Sequence, residues 1–101
     1  MHSKPIVIST PAAQDLDYYY SWYERQKSGL GTRFLSAINA TLQSIQRTPA
    51  GYQSVHQSYR KAVVGRFPYV ILYREEVDQI FISAVFHTSR SPESLQDRLH
   101  Q

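Results

Sequence analysis

Cysteine is absent from the 101 residues, which removes both a disulfide framework and a thiolate metal site and fits a reducing compartment. Long apolar runs are missing as well. None approaches the roughly 20 residues that a membrane span requires. The N-terminus lacks the charged-then-apolar pattern of a signal peptide, so a soluble cytoplasmic protein is expected, with no membrane association. The four histidines, His2, His56, His87 and His100, form no HxxxH or histidine–carboxylate cluster. No metal centre or cofactor is therefore expected. A Gly-rich phosphate loop and a GxSxG nucleophile motif are also absent.

Negative charge is missing from the middle of the chain. Between Glu24 and Glu75 there is no acidic residue, while Arg25, Lys27, Arg33, Arg47, Arg60, Lys61, Arg66 and Arg74 all fall in that interval. The flanks are acidic, and the net charge is +3. A central region of this sign attracts either an acidic protein segment or a phosphate backbone. It reads equally well as a solvated basic surface. At 42% hydrophobic, the chain has the size and composition of a single domain over residues 1–101 with a core of its own.

What is present is organised around Tyr59–Pro92. Three runs there, Arg60–Val64, Tyr69–Arg74 and Ile80–His87, are rich in Val, Ile, Phe and Tyr and are parted by short breakers. Gly65-Arg66-Phe67-Pro68 and Glu75-Glu76-Val77-Asp78-Gln79 are too short to hold a crossover helix, which predicts a three-stranded antiparallel meander. Strict alternation places Ile80, Ile82, Ala84 and Phe86 on one side and Phe81, Ser83, Val85 and His87 on the other. Both sides are largely apolar, so both faces of the sheet should be covered.

Upstream, Lys4–Ile8 reads as an edge strand, and Ser9-Thr10-Pro11 as a helix start in which a hydroxyl caps free amides. A helix from about Pro11 to Lys27 carries Ala12, Leu16, Tyr19, Tyr20 and Tyr23 on one stripe, flanked by Tyr18 and Trp22. Large core residues with their hydroxyls at the surface account for this cluster, and so does a docking surface. Ser28-Gly29-Leu30-Gly31 breaks the helix. A second helix, about Leu30 to Arg47, lines up Phe34, Ile38, Leu42 and Ile45, with Leu35 beside them, and the short turn makes the pair an antiparallel hairpin. Ser91–Gln101 reads as a short C-terminal helix. One hairpin covers one face of a small sheet, so the other face is expected to stay partly open, apolar and basic, and to be completed by another molecule.

Arg60, Lys61, Arg66, Tyr73, His87 and Arg90 form the only cluster of chemistry-bearing side chains. Metal-free RNA cleavage needs a base, an acid and cations for the developing phosphorane charge. His87 with Arg60, Lys61, Arg66 and Arg90 could supply them. The alternative is structural: His87 and Arg90 pin the end of the last strand, and Arg66 caps the hairpin connection.

The run YRKAVVGRFPYVILY, the strand end AVFHTSRSP and a second helix opening GLGTRFL together resemble the ParE branch of the RelE/ParE superfamily of bacterial type II toxins. The resemblance extends from about Ile6 to Pro92. It implies an α+β fold in the order β-α-α-β-β-β, with an antiparallel sheet, a helical hairpin on one face and a short C-terminal helix. It also implies a plasmid-stabilisation toxin that inhibits DNA gyrase without catalysis and is neutralised, in a toxin–antitoxin hetero-oligomer, by the acidic C-terminal segment of a cognate antitoxin. The RelE branch instead cleaves mRNA on the ribosome, and a degenerate, non-toxic relative is a further alternative. Arg60, Arg66, Tyr69, Tyr73, His87 and Arg90 match recurrent family positions. With Tyr19, Trp22 and Tyr23 from the first helix they are the candidate contacts for target or antitoxin. The ribonucleolytic branch places several Lys and Arg on its middle strands and a Tyr or His near the C-terminus, whereas here Lys61 is the only lysine on those strands and no tyrosine follows Tyr73, which argues against that branch.

Overall fold

The computed structural model describes residues 3–89. Arg90 and the helix expected over 91–101 lie outside the described residues, as do His2 and His100. The chain runs β1 (Ile6–Ile8), α1 (Thr10–Gln26), α2 (Leu30–Arg47), a 3-10 turn at Pro49–Gly51, β2 (Gln53–His56), β3 (Tyr59–Val63), β4 (Tyr69–Glu75) and β5 (Ile80–His87). The five strands form one sheet in the order β1-β5-β4-β3-β2. β3, β4 and β5 are the antiparallel meander that their spacing predicts. β1 joins as an edge but runs parallel to β5, so the sheet is mixed where an antiparallel one was expected. β2 is the strand that sequence reasoning missed. Gln53-Ser54-Val55-His56 holds a single apolar residue and pairs with β3 through backbone bonds that its side chains do not announce.

Local chemistry sets the helix starts. Ser9 caps α1, its Oγ accepting from the Ala12 amide at 3.1 Å, while the same hydroxyl donates to the Ser83 carbonyl at 3.2 Å. The cap therefore ties the helix to the last strand as well as satisfying an orphan amide. Gly29 between the helices adopts a left-handed φ of 89°, which glycine takes without steric penalty. Ala12 and Tyr19 of α1 are buried, together with Phe34, Ile38, Thr41 and Ile45 of α2. Tyr18 and Trp22 stay at the surface, 64% and 43% exposed.

A bulge corrects the strict alternation expected for the last strand. The β4–β5 register passes from Leu72↔Ala84 to Tyr73↔Ile82, leaving Ser83 as the extra residue. The Val85 amide just beyond it donates to Asp15 Oδ2 of α1 at 3.0 Å. Because side chains alternate with period two, one inserted residue exchanges the faces. Ile80, Ile82 and Val85 thus share the helix-facing core with Tyr69, Ile71 and Tyr73. Ala84 falls on the opposite face with Leu72 and Tyr59, and Phe86 packs against them. That second face differs from the open one expected: Val70, Leu72 and Ala84 are 7%, 0% and 0% exposed. The accessible concavities lie elsewhere.

Candidate functional site

Two depressions flank a wall of aromatic rings where the helical hairpin meets the β3–β4 turn. The wall exists because three local devices converge. At the first, Gly31 donates its amide to Glu24 Oε1 at 2.9 Å, and a Cβ on Gly31 would stand 2.8 Å from the Tyr20 carbonyl oxygen. Only glycine permits this approach of α2 to α1, and it brings Tyr19 and Tyr23 onto Phe34. At the second, the β3–β4 turn carries Arg66 at φ 72° and turns Phe67 inward. At the third, the Thr88 amide donates to the Pro68 carbonyl at 2.8 Å, holding the end of β5 against that turn.

Phe34, fully buried, is the centre. Its ring lies 5.3 Å from Tyr23, 5.5 Å from Phe67 and 5.1 Å from Tyr69, measured between centroids. Tyr23 and Phe67 meet edge to face at 5.2 Å. Such pairs add about 0.5–1.5 kcal/mol each beyond simple burial. Burial, and then a hydrogen bond with Tyr23, push the Tyr69 phenol well above its ordinary pKa, so it stays neutral.

On the α1 side lies an aromatic pocket of about 490 Å³, lined by Tyr18, Tyr19, Trp22, Tyr23, Tyr69, His87 and Ser89. The His87 ring sits edge to face on Tyr69 at 5.2 Å. Its Nδ1 receives the Ser89 backbone amide at 3.1 Å and lies 2.7 Å from Ser89 Oγ. An acceptor at Nδ1 places the proton of the neutral ring on Nε2, so His87 offers a hydrogen-bond donor. Among the described residues that line the pocket there is no carboxylate, lysine or arginine.

On the α2 side runs a trough of about 790 Å³. One wall is the outer surface of α2 from Leu30 to Ser44, where Ser36, Ala37, Ala40 and Thr41 keep side chains short. The other is Val63, Gly65, Arg66 and Phe67, and Tyr52 also lines the trough. Arg33 and Arg66 are the charged side chains among its described lining residues. It is apolar and basic, as expected of the sheet face, but α2 and the rim of β3 build it.

Five of the candidate contacts, Tyr19, Trp22, Tyr23, Tyr69 and His87, are brought together in the aromatic pocket. Arg66 lies across the wall in the trough. Arg60 and Tyr73 belong to neither: Arg60 Nη1 donates to the Tyr52 carbonyl at 2.6 Å, and the Tyr73 hydroxyl donates to the Pro49 carbonyl. Lys61, next to Arg60 along β3, projects to the opposite face of the sheet. The candidates for RNA cleavage are thus dispersed, with no two described ones sharing a depression. Sequence reasoning missed Thr32, Ser36, Ala40 and Ser44. Their signal is a row of small residues at four-residue spacing on the side of α2 away from the apolar stripe. Among the described residues no group of three or more His, Asp or Glu side chains could hold a metal, and no helix is long and apolar enough to cross a membrane.

A mixed five-stranded sheet covered on one face by an antiparallel helical hairpin defines a small α+β protein. Residues 6–92 match the model of the ParE toxin of the type II toxin-antitoxin system parDE, and the chain belongs to that family. Among solved structures it resembles a chain of the chromosomal ParDE system from P. aeruginosa at a TM-score of 0.75 and 20% identity, covering 86% of this chain and 98% of that one. It also resembles a chain of the RelBE2 toxin–antitoxin complex from Mycobacterium tuberculosis at 0.61 and 19%, covering 85% and 99%. Among curated proteins no sequence matches it significantly.

Proposed function

We propose that this ParE-family toxin arrests growth in the cytoplasm by binding DNA gyrase, and that a cognate antitoxin holds it inactive in a toxin–antitoxin complex. The observation that carries this reading is the family match over residues 6–92, which includes every element that builds the two depressions. The dispersal of Arg60, Lys61, Arg66 and His87 favours inhibition by binding over mRNA cleavage, because phosphorane stabilisation needs its cations on one phosphate. The aromatic pocket is the proposed gyrase contact. Tyr18 and Trp22 expose large rings at its rim, and such residues dominate protein interfaces when a partner desolvates them.

The test pairs two assays on the purified protein. In a gyrase supercoiling assay, wild type is expected to inhibit and Trp22→Ala to inhibit at least tenfold less well. In a ribosome-programmed cleavage assay, message is expected to stay intact. Message cut in the ribosomal A site, with cutting lost in His87→Ala, replaces the gyrase reading with the RelE-type one. Harmless expression without an antitoxin points to a degenerate homologue.

A further inference from the structure

We propose that Ser9 is a positioning residue for the aromatic pocket: its hydroxyl holds the extra residue of β5, and that residue decides that His87 rather than Phe86 stands beside Tyr69. The proposal rests on the reading of this pocket as the gyrase contact and deepens it. Along a strand, backbone groups alternate between the two sides. Ile80 donates outward, away from β4, to the Pro5 carbonyl at 2.9 Å, and the Ile82 carbonyl accepts from the Ser9 amide on that same side at 3.0 Å. A regular strand would therefore turn Ala84 outward next and give the Ser83 carbonyl to β4. The observed strand does otherwise. Ser83 presents its carbonyl to Ser9 Oγ at 3.2 Å, and Val85, not Ala84, presents the next outward amide, to Asp15 Oδ2 at 3.0 Å. Ser9 and Asp15 stand at the start and in the second turn of α1, which takes over this side of β5 where β1 ends at Ile8.

Of these two side-chain contacts, one is specific to the bulge. Asp15 would meet an outward amide in either register, from Val85 in the bulged strand or from Ala84 in a regular one. The Ser83 carbonyl turns outward only in the bulged strand, so the Ser9 hydroxyl is the group that tells the two apart. The consequence reaches the pocket through alternation. With Tyr73 paired to Ile82, a strand without the bulge would set Phe86 opposite Tyr69, whereas the bulged strand sets His87 there. The pocket would then receive a phenyl ring and lose the Nε2 hydrogen-bond donor. Ser83 is 8% exposed, so its carbonyl, once deprived of the hydroxyl, would recover little from water.

The experiment, on the full chain, separates the donor role of this hydroxyl from its capping role. Ser9→Thr keeps both. Ser9→Asp keeps an acceptor for the Ala12 amide and loses the donor, and Ser9→Ala loses both. Ring-to-ring NOEs between His87 and Tyr69, whose centroids lie 5.2 Å apart, read the register. Thermal melting reads the fold, and gyrase supercoiling reads the contact. Wild type and Ser9→Thr are expected to show the NOEs and to inhibit alike. Ser9→Asp is expected to melt above Ser9→Ala, because its cap survives, yet to lose the NOEs as Ser9→Ala does and to inhibit gyrase at least about tenfold less well. Wild-type NOEs in Ser9→Asp would leave Ser9 a helix cap alone and overturn the proposal. Loss of the NOEs with inhibition intact would overturn it too. Deleting Ser83 supplies a rescue, since it removes the extra residue and leaves His87 opposite Tyr69 in a regular ladder. Ser9→Asp added to that deletion should change neither the NOEs nor the inhibition, and a further loss there would count against the proposal. Should Ser9→Asp fail to fold, Ser9→Gly, which starts a helix at small cost and has no donor, takes its place with the same expectations. If wild type does not inhibit gyrase, the gyrase reading fails, while the NOEs still decide whether Ser9 sets the register.

Discussion

The trough beside α2 and the aromatic pocket beside α1 stand on either side of the same rings, Tyr23, Phe34, Phe67 and Tyr69, yet they offer opposite chemistry. One is shallow in side chain, basic, and bordered by an unfinished sheet edge. The other is deep in rings, with the His87 imidazole and the Trp22 indole as the side-chain nitrogen groups among its described lining residues. A shared support with separate linings means that substitutions in the support should damage both surfaces, while substitutions in a lining should damage one. That separation would let a protein meet a target and a neutraliser through different residues, and it can be broken by experiment.

The largest effect is expected from Phe34→Ala. Emptying the centre of the ring cluster should cost about 3–5 kcal/mol in urea unfolding and weaken both surfaces together. A loss below about 1 kcal/mol would show that the two depressions do not depend on a common support. Gly31→Ala comes next. Its Cβ would meet the Tyr20 carbonyl at 2.8 Å, and a backbone atom cannot swing aside, so the helices must separate at a cost of about 1–3 kcal/mol. Thermal melting would register it. Equal melting of the variant and wild type would mean that the hairpin closes without the glycine.

Alkali should act on the core shared by α1, α2 and the sheet. Burial is the main reason that the Tyr73 phenol is pushed up to about 12, and burial likewise raises that of Tyr69. Both groups have folded values above the ordinary value of 10, so the stability linked to them is complete below about pH 10 and is lost as the pH rises through 12. Unfolding midpoints across pH 8 to 12 should be flat at first and then decline, and Tyr73→Phe should decline less steeply. The smallest change in stability is expected for Trp22→Ala. Its ring sits at the rim, 43% exposed, so melting should shift by the equivalent of about 1 kcal/mol or less, while the inhibition of gyrase proposed for this rim should weaken. A large drop in stability would mean that the rim is part of the support after all.

Much of this architecture could be read from residue order. Ser9-Thr10-Pro11 announces a helix start, and α1 begins at Thr10. Gly29 marks the break, and α2 occupies Leu30–Arg47 as its apolar spacing predicts. β5 occupies Ile80–His87 as its composition predicts. The site was half legible. The aromatic residues of α1 stand out in the sequence, but nothing in it says that His87 will join them, because the bulge at Ser83 that turns Val85 and His87 toward the helices leaves no mark on a period-two pattern. Arg60 and Arg66 look equivalent as cations near one another in the chain. In the structure Arg60 is spent on the Tyr52 carbonyl, while Arg66 lines the trough.

The sequence by itself determined the helices, four of the five strands and the central excess of positive charge, since each follows from neighbours a few residues apart: caps, apolar spacing and turn residues. Only the tertiary structure decided that β1 lies parallel to β5, that β2 exists and ends early, and that the sheet's second face is closed at its centre while the trough opens between α2 and β3. These depend on where backbone groups find partners and which surfaces meet. That balance is struck between segments distant in the chain, so no local pattern records it.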